Sequence, residues 1–235
     1  MDPDFLLLGL IWYVVFLLSL TCHEAAHALT AKWGGDPTAF HAGQVTLNPV
    51  PHMRREPFGT ILVPLLSYIG GGGMIGWASA PYDPFWQQRH PRRAAWMSLA
   101  GPAANFLLAL GAAVLIHTGI LLGFLRMPAS VGFTRIVAAD TAGAAEGLAV
   151  FLSILFSLNV LLGVFNLLPF PPLDGYSALG LFTSERGAMV LENFRRTIAP
   201  YAGIGLLLSW TFFDRIFDPV FRIALNLLYP FARYS

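Results

Sequence analysis

Charged side chains are scarce in this chain. Lys, Arg, Asp and Glu make up 11% of its 235 residues, while 56% are hydrophobic; a soluble domain carries about a quarter charged residues. That deficit excludes an ordinary water-facing surface. Cysteine is nearly absent, with Cys22 alone, which excludes an intramolecular disulfide framework and a zinc ribbon. The net charge of +1 leaves no basic excess to hold nucleic acid, and no nucleic-acid partner is expected. The N-terminus, "MDPDFLLLGL", lacks both the basic start and the small-residue cleavage site of a signal peptide. Its apolar run is therefore expected to be retained.

Long hydrophobic runs dominate what is present. Mean hydropathy is +0.62, and runs of about 18 or more apolar residues read as membrane helices. The first span extends from about Phe5 to Thr30. Apolar segments follow at 58–80, at about 94–125, at about 145–168 and at about 198–213. Residues 216–231 place Asp218 and Arg222 among apolar residues, just after Arg215, and read as an interfacial helix, with a short final span as the alternative. The expected fold is an all-α polytopic membrane protein with about 4–6 transmembrane helices. It is read as a single integral membrane domain over 1–235, with a core at 5–180 and C-terminal helices at 185–235.

Loop charge gives orientation. Lys32, Arg54 and Arg55 lie in one connector, Arg89, Arg92 and Arg93 in a second, and Arg186, Arg195 and Arg196 in a third. The excess of cations assigns all three to the cytoplasm. Segment 58–80 then has cytoplasmic flanks on both sides, so it must enter the membrane and return. Gly70–Gly73 supply residues that tolerate the backbone angles of a reversal. Such non-helical backbone is allowed at membrane depth only when buried in protein or lining a wet cavity. A re-entrant segment is expected here; an ordinary helix with flexible glycines is the alternative.

The sharpest chemical signal sits at the end of the first span. "HEAAH" at 23–27 matches H-E-x-x-H. At i and i+4, His23 and His27 share a helix face, so both imidazoles can reach one metal with Glu24 as general base. A chance match between two core histidines is the bland alternative. Within a membrane span it is weak, because ionisable residues there are rare and usually functional. At about 1.5 Å rise per residue, Lys32 lies roughly 13 Å beyond His23 along the axis, which places the site inside the bilayer but nearer its cytoplasmic face.

Zinc needs a third protein ligand. His41, His52, His90 and His117 qualify by type, although His117 falls late in the third span and is poorly placed. Asp174, in "VFNLLPFPPLDGYSALG", ends a span that runs in the same direction as the first. Pro169, Pro171 and Pro172 break the helix ahead of it, and Gly175 frees the backbone after it. The residue reads equally well as a cavity-lining ligand or as the cap of a surface turn, since Asp-Gly is a common turn pair.

Four blocks, in order, resemble the site-2 protease family of intramembrane zinc metalloproteases: "HEAAHALTAKWGGD", "TLNPVPHMRREPFGTILVP", "AGPAANFLLA" and "FNLLPFPPLDGYSAL". The resemblance implies one Zn²⁺ per chain held by His23, His27 and Asp174, with Glu24 as the catalytic base. It also implies that Asn166 and Asn105 hold the substrate or the oxyanion; helix–helix hydrogen bonding is their alternative role. The implied activity is a zinc endopeptidase, a hydrolase acting on peptide bonds within or near transmembrane segments of single-span proteins. Regulated intramembrane proteolysis or clearance of signal-peptide remnants would be its setting. The partners implied are a membrane-protein or peptide substrate and the lipid bilayer, with a homo-oligomer left open. The implied location is the cell membrane, multi-pass.

The second block is similar to the short branch of the family, without PDZ or cystathionine-synthase-type domains. His52 is followed by Met53–Pro57 instead of the branch's Ile-Asp-Pro run, which leaves its role open. Two other functions compete: a membrane zinc transporter, and an inactive relative that binds membrane proteins without cutting them. A transporter repeats polar ligands along a pathway, whereas here they converge on one depth. An intact Glu24 argues against the inactive relative.

Overall fold

The computed structural model describes residues 3–232. In chain order its helices are α1 (Pro3–Gly34), α2 (Thr38–His41), α3 (Pro49–Arg55), α4 (Val63–Gly71), α5 (Pro84–Arg89), α6 (Pro91–Leu121), α7 (Ala144–Asn166), α8 (Asp174–Ala178), α9 (Glu185–Ile198) and α10 (Ala202–Leu228). A π-helical turn, Phe58–Leu62, leads into α4. Among the described residues, the one sheet pairs β1 (Leu125–Arg126) with β2 (Ala138–Ala139), antiparallel. The helices α1, α6 and α7 are long and apolar enough to cross a bilayer, and the protein is an integral membrane protein.

The chain gathers into two compact units. One takes the chain through Cys22, Leu47–Ser79 and Phe106–Val160. Its core holds Val15, Phe16, Ile116, Leu152 and Ile154, all buried. Polar groups inside it are paired, as burial in an apolar interior demands: Asn159 Nδ2 donates to Ser19 Oγ at 2.8 Å, and Ser153 Oγ accepts from the amides of Ile136 and Val137 at 2.9 and 3.1 Å.

Segment 58–80 reverses as expected. Helix α4 ends at Gly71, and Gly72 takes a left-handed conformation with φ +73°, where a side chain would be strained. The chain then returns in extended form. The Trp77 amide donates to the Gly59 carbonyl at 3.1 Å, and Ser79 Oγ donates to Glu56 Oε1 at 2.6 Å. Gly76 makes the return possible, since a Cβ there would strike the Gly59 carbonyl oxygen and the Phe16 ring.

The second unit comprises His23–Thr46, Ala80–Asn105 and Leu161 onwards. Asp36, 1% exposed, ties its connectors together. Its carboxylate accepts from the Thr38 amide at 2.9 Å and the Asp83 amide at 2.7 Å. Trp86 Nε1 and Arg93 Nη1 both donate to the Gly34 carbonyl, at 3.0 and 3.1 Å, which satisfies an oxygen left over at the end of α1.

The C-terminal region differs from the sequence expectation. Residues expected as a span at 198–213 and a separate interfacial helix at 216–231 form one helix, α10, with Pro219 inside it. The charges that suggested a boundary, Arg215, Asp218 and Arg222, all lie exposed on its surface, as does Asp214 beside them. Phe213, Phe217 and Phe221 meanwhile stack at i, i+4 and i+8, with centroids 5.1 and 5.0 Å apart. This aromatic row carries one packing face through the charged stretch.

Replacing Gly76 with valine should destabilise the protein by about 1–3 kcal/mol through overpacking. A Gly71→Ala control, where a Cβ meets nothing within 4 Å, should leave stability unchanged or slightly raised. Thermal unfolding in detergent distinguishes the two.

Candidate metal centre

The second unit brings His23, His27 and Asp174 together. Both histidines project from one face of α1, and Asp174 opens α8 after the irregular run 167–173. His23 Nε2 and His27 Nε2 are 3.0 Å apart. Asp174 Oδ2 lies 3.1 Å from the first and 3.2 Å from the second. Among the described residues, this is the one group of three His, Cys, Asp or Glu placed to share a cation. His41, His52, His90 and His117 are not part of it.

The triangle fits zinc. Tetrahedral coordination at about 2.0–2.1 Å sets two ligand atoms about 3.3 Å apart, close to the three separations found. Three lone-pair atoms packed this tightly repel one another and are stabilised by a cation among them. Asp174 Oδ2 faces both imidazoles, which give the partly buried carboxyl the polar partners it needs. The Asp174 side chain turns onto the imidazoles, the arrangement expected of a cavity-lining residue.

Helix α6 orients both rings. His23 Nδ1 donates to Asn105 Oδ1 at 2.6 Å, and His27 Nδ1 donates to the Met97 carbonyl at 2.7 Å. With Nδ1 carrying the proton, each Nε2 presents its lone pair to the shared point. Gly101 lies between these two acceptors. A Cβ there would strike Nε2 of both histidines, so any other side chain would fill the space a cation needs. Met97, Gly101 and Asn105 are four residues apart and form a single stripe on α6.

Two residues expected near the site behave differently from each other. Asn105 is fully buried, 0% exposed, and its side-chain oxygen is engaged by His23. Asn166 turns its amide back on its own helix, donating to the Leu162 carbonyl at 3.0 Å. Glu24 is buried, 6% exposed, and lies near enough for its charge to act on His27. Gly175 serves a purpose other than backbone freedom, since a Cβ there would strike the Leu167 carbonyl. It lets the loop close tightly beneath Asp174.

The Met97 carbonyl and Gly101 carried a weak signal in the sequence. Glycine followed by proline at 101–102 is unfavourable inside a helix, and such a pair marks a close approach that propensity alone does not explain.

The model of peptidase family M50 matches residues 11–210. The chain belongs to that family. This agrees with the resemblance to site-2 proteases carried by its four motif blocks. A Bacillus subtilis (strain 168) protein named "Putative zinc metalloprotease YwhC" is 37% identical over 166 residues, covering 69% of this chain and 64% of the relative. Proteins named "Putative zinc metalloprotease Rip2" are 36% identical over 170 residues in Mycolicibacterium smegmatis and 38% identical over 165 residues in Mycobacterium tuberculosis. Those matches cover 70% of this chain and 54% of each Rip2 protein. The chain thus spans less than two thirds of the length of these relatives. No solved structure matches it at a significant level.

Gly101→Ala should abolish stoichiometric zinc in the purified protein while leaving it folded. Asn105→Ala should weaken zinc affinity about 10–100-fold, as loss of a partner behind a ligating histidine typically does. Metal content by mass spectrometry, read beside helical circular dichroism, checks both.

Proposed function

We propose that this chain is an intramembrane zinc endopeptidase that cleaves peptide bonds within or beside the transmembrane segments of single-span membrane proteins. The observation that carries the reading is the closure of the His23–His27 face by Asp174, within 3.2 Å of both Nε2 atoms, on a helix apolar enough to span a bilayer. Membership of peptidase family M50 supports it, as do the zinc metalloprotease names of the relatives.

In this reading His23, His27 and Asp174 hold the ion. Bound zinc supplies a Lewis acid that polarises the peptide carbonyl and acidifies water. Glu24 takes the proton from the attacking water as the new carbon–oxygen bond forms. It then delivers that proton to the leaving nitrogen as the carbon–nitrogen bond breaks. Water is consumed, and a carboxylate and an amine are released. Asn105 and the Met97 carbonyl keep both imidazoles turned so that their lone pairs stay on the metal side. Asn166, at the end of α7, is assigned to the substrate backbone, for which its amide would leave Leu162. The positive loops favour an active site nearer the cytoplasmic face of the cell membrane.

A substrate helix has its carbonyls bonded internally, so cleavage requires local unwinding. Groups that weaken a helix near the scissile bond, glycine or proline above all, should therefore speed turnover.

Glu24→Gln tests the chemistry. Cleavage should fall by about 10²–10⁴-fold, the usual contribution of a general base, while zinc content stays at one per chain. Comparative membrane proteomics of cells carrying wild type or Glu24→Gln should show single-span proteins accumulating uncut in the variant. His23→Ala and Asp174→Ala should lose zinc and activity together. Full proteolysis by Glu24→Gln would overturn the role of Glu24 as the base, and an absence of cleavage by wild type with native function preserved in Glu24→Gln would overturn the enzyme reading.

A further inference from the structure

Helix α9 buries a charged side chain and exposes large apolar ones. Beside the buried Ala188, its inner side is polar. Glu192, 7% exposed, accepts from Gln87 Nε2 at 2.8 Å, from Arg195 Nε and Nη2 at 2.9 and 3.0 Å, and from Arg196 Nε at 2.7 Å. Its outward side is mixed, with Val190 66% and Phe194 53% exposed, Phe182 and Tyr201 exposed at its two ends, and Arg186, Asn193 and Thr197 exposed among them. In an integral membrane protein, a helix that exposes large apolar side chains among polar ones suits the boundary between lipid and water.

A cavity of about 350 Å³ opens beside the end of α9. Its walls are apolar at Pro171, Pro172, Ile198 and Ala202, and its polar groups are Tyr82, Arg195 and Arg196. Two guanidinium groups share one carboxylate, Glu192, so the cluster keeps one net positive charge. Donors also remain. Arg195 uses Nε and Nη2 on Glu192, Gln87 and Tyr82, and Arg196 uses Nε on Glu192 and Nη2 on the Pro84 carbonyl. Neither arginine spends Nη1 in these bonds. The Tyr82 hydroxyl accepts from Arg195 at 2.9 Å and keeps its own proton to donate.

We propose that this cavity binds the phosphodiester headgroup of an acidic glycerophospholipid. Two guanidinium groups and a hydroxyl suit a tetrahedral oxyanion with several acceptor oxygens. The volume exceeds what a lone carboxylate needs and accommodates a glycerol phosphate, with the acyl chains leaving across the exposed apolar side chains of α9. Basic pockets beside membrane helices hold acidic headgroups by the same balance of charge and apolar contact. Because Pro171 and Pro172 wall the cavity and Asp174 follows on the same loop, the lipid would brace the loop that carries that carboxylate.

The full chain, purified in dodecyl maltoside, is titrated with dioleoylphosphatidylglycerol or dioleoylphosphatidylcholine and bound lipid is counted by native mass spectrometry. Wild type should hold one phosphatidylglycerol at least about tenfold more tightly than phosphatidylcholine, the ratio expected for one charge-assisted contact more. The double substitution Arg195→Gln and Arg196→Gln should remove that preference. Because it also disturbs Glu192, Ala202→Phe provides a second variant, filling the cavity from its apolar wall with the charge network intact. It too should lose the bound lipid while matching wild type in thermal unfolding. Equal retention of the two lipids, unchanged binding in Ala202→Phe, or displacement of the lipid by millimolar inorganic phosphate or a hexaglutamate peptide would each overturn the proposal.

Discussion

The bond from His23 Nδ1 to Asn105 Oδ1, at 2.6 Å, is the interaction on which the metal centre depends. An imidazole has two nitrogens, and a helix face fixes only where the ring begins. Which nitrogen meets the third ligand is decided by what holds the other one. Asn105 settles this for His23 and the Met97 carbonyl settles it for His27. Both acceptors belong to one stripe of α6, so a single helix sets both rings. The separation that the rings then reach is the one a tetrahedral ion asks for.

Asp174 completes the group under a different constraint. An ionised carboxylate in apolar surroundings costs several kcal/mol unless paired. Here the two imidazoles pair with it, and the three together are placed to share a cation. Delivering the carboxylate needs backbone that is not helical, which prolines 169, 171 and 172 impose after α7 ends at Asn166. Close contacts then hold the loop in place. Gly175 sits against the Leu167 carbonyl, and Gly205 of α10 sits against the Pro171 carbonyl. The C-terminal helix thereby contributes to the site without a side chain in it.

What was readable from the residues follows the range of each interaction. His23, Glu24 and His27 are a local pattern, because four residues on a helix are one turn. The reversal near Gly72 was also readable, from cationic loops on both sides and a run of glycines. Asp174 was only half readable, since Asp-Gly means a turn as readily as a ligand until its partners are known. The α6 stripe was least so. A backbone carbonyl has no residue identity, and the need for glycine at 101 arises only when α1 lies beside it. In the C-terminal region the charges of 214–222 outweighed the row of phenylalanines in the sequence reading, whereas packing made the opposite choice.

The clearance at Gly101 also sets a limit. Because the α6 backbone at Gly101 faces both Nε2 atoms, it bounds the space beside the two histidines, and Asp174 bounds a second side. The glycine, by having no side chain, keeps that space open, so the capacity of the group is set by the spacing of two helices as much as by its three side chains.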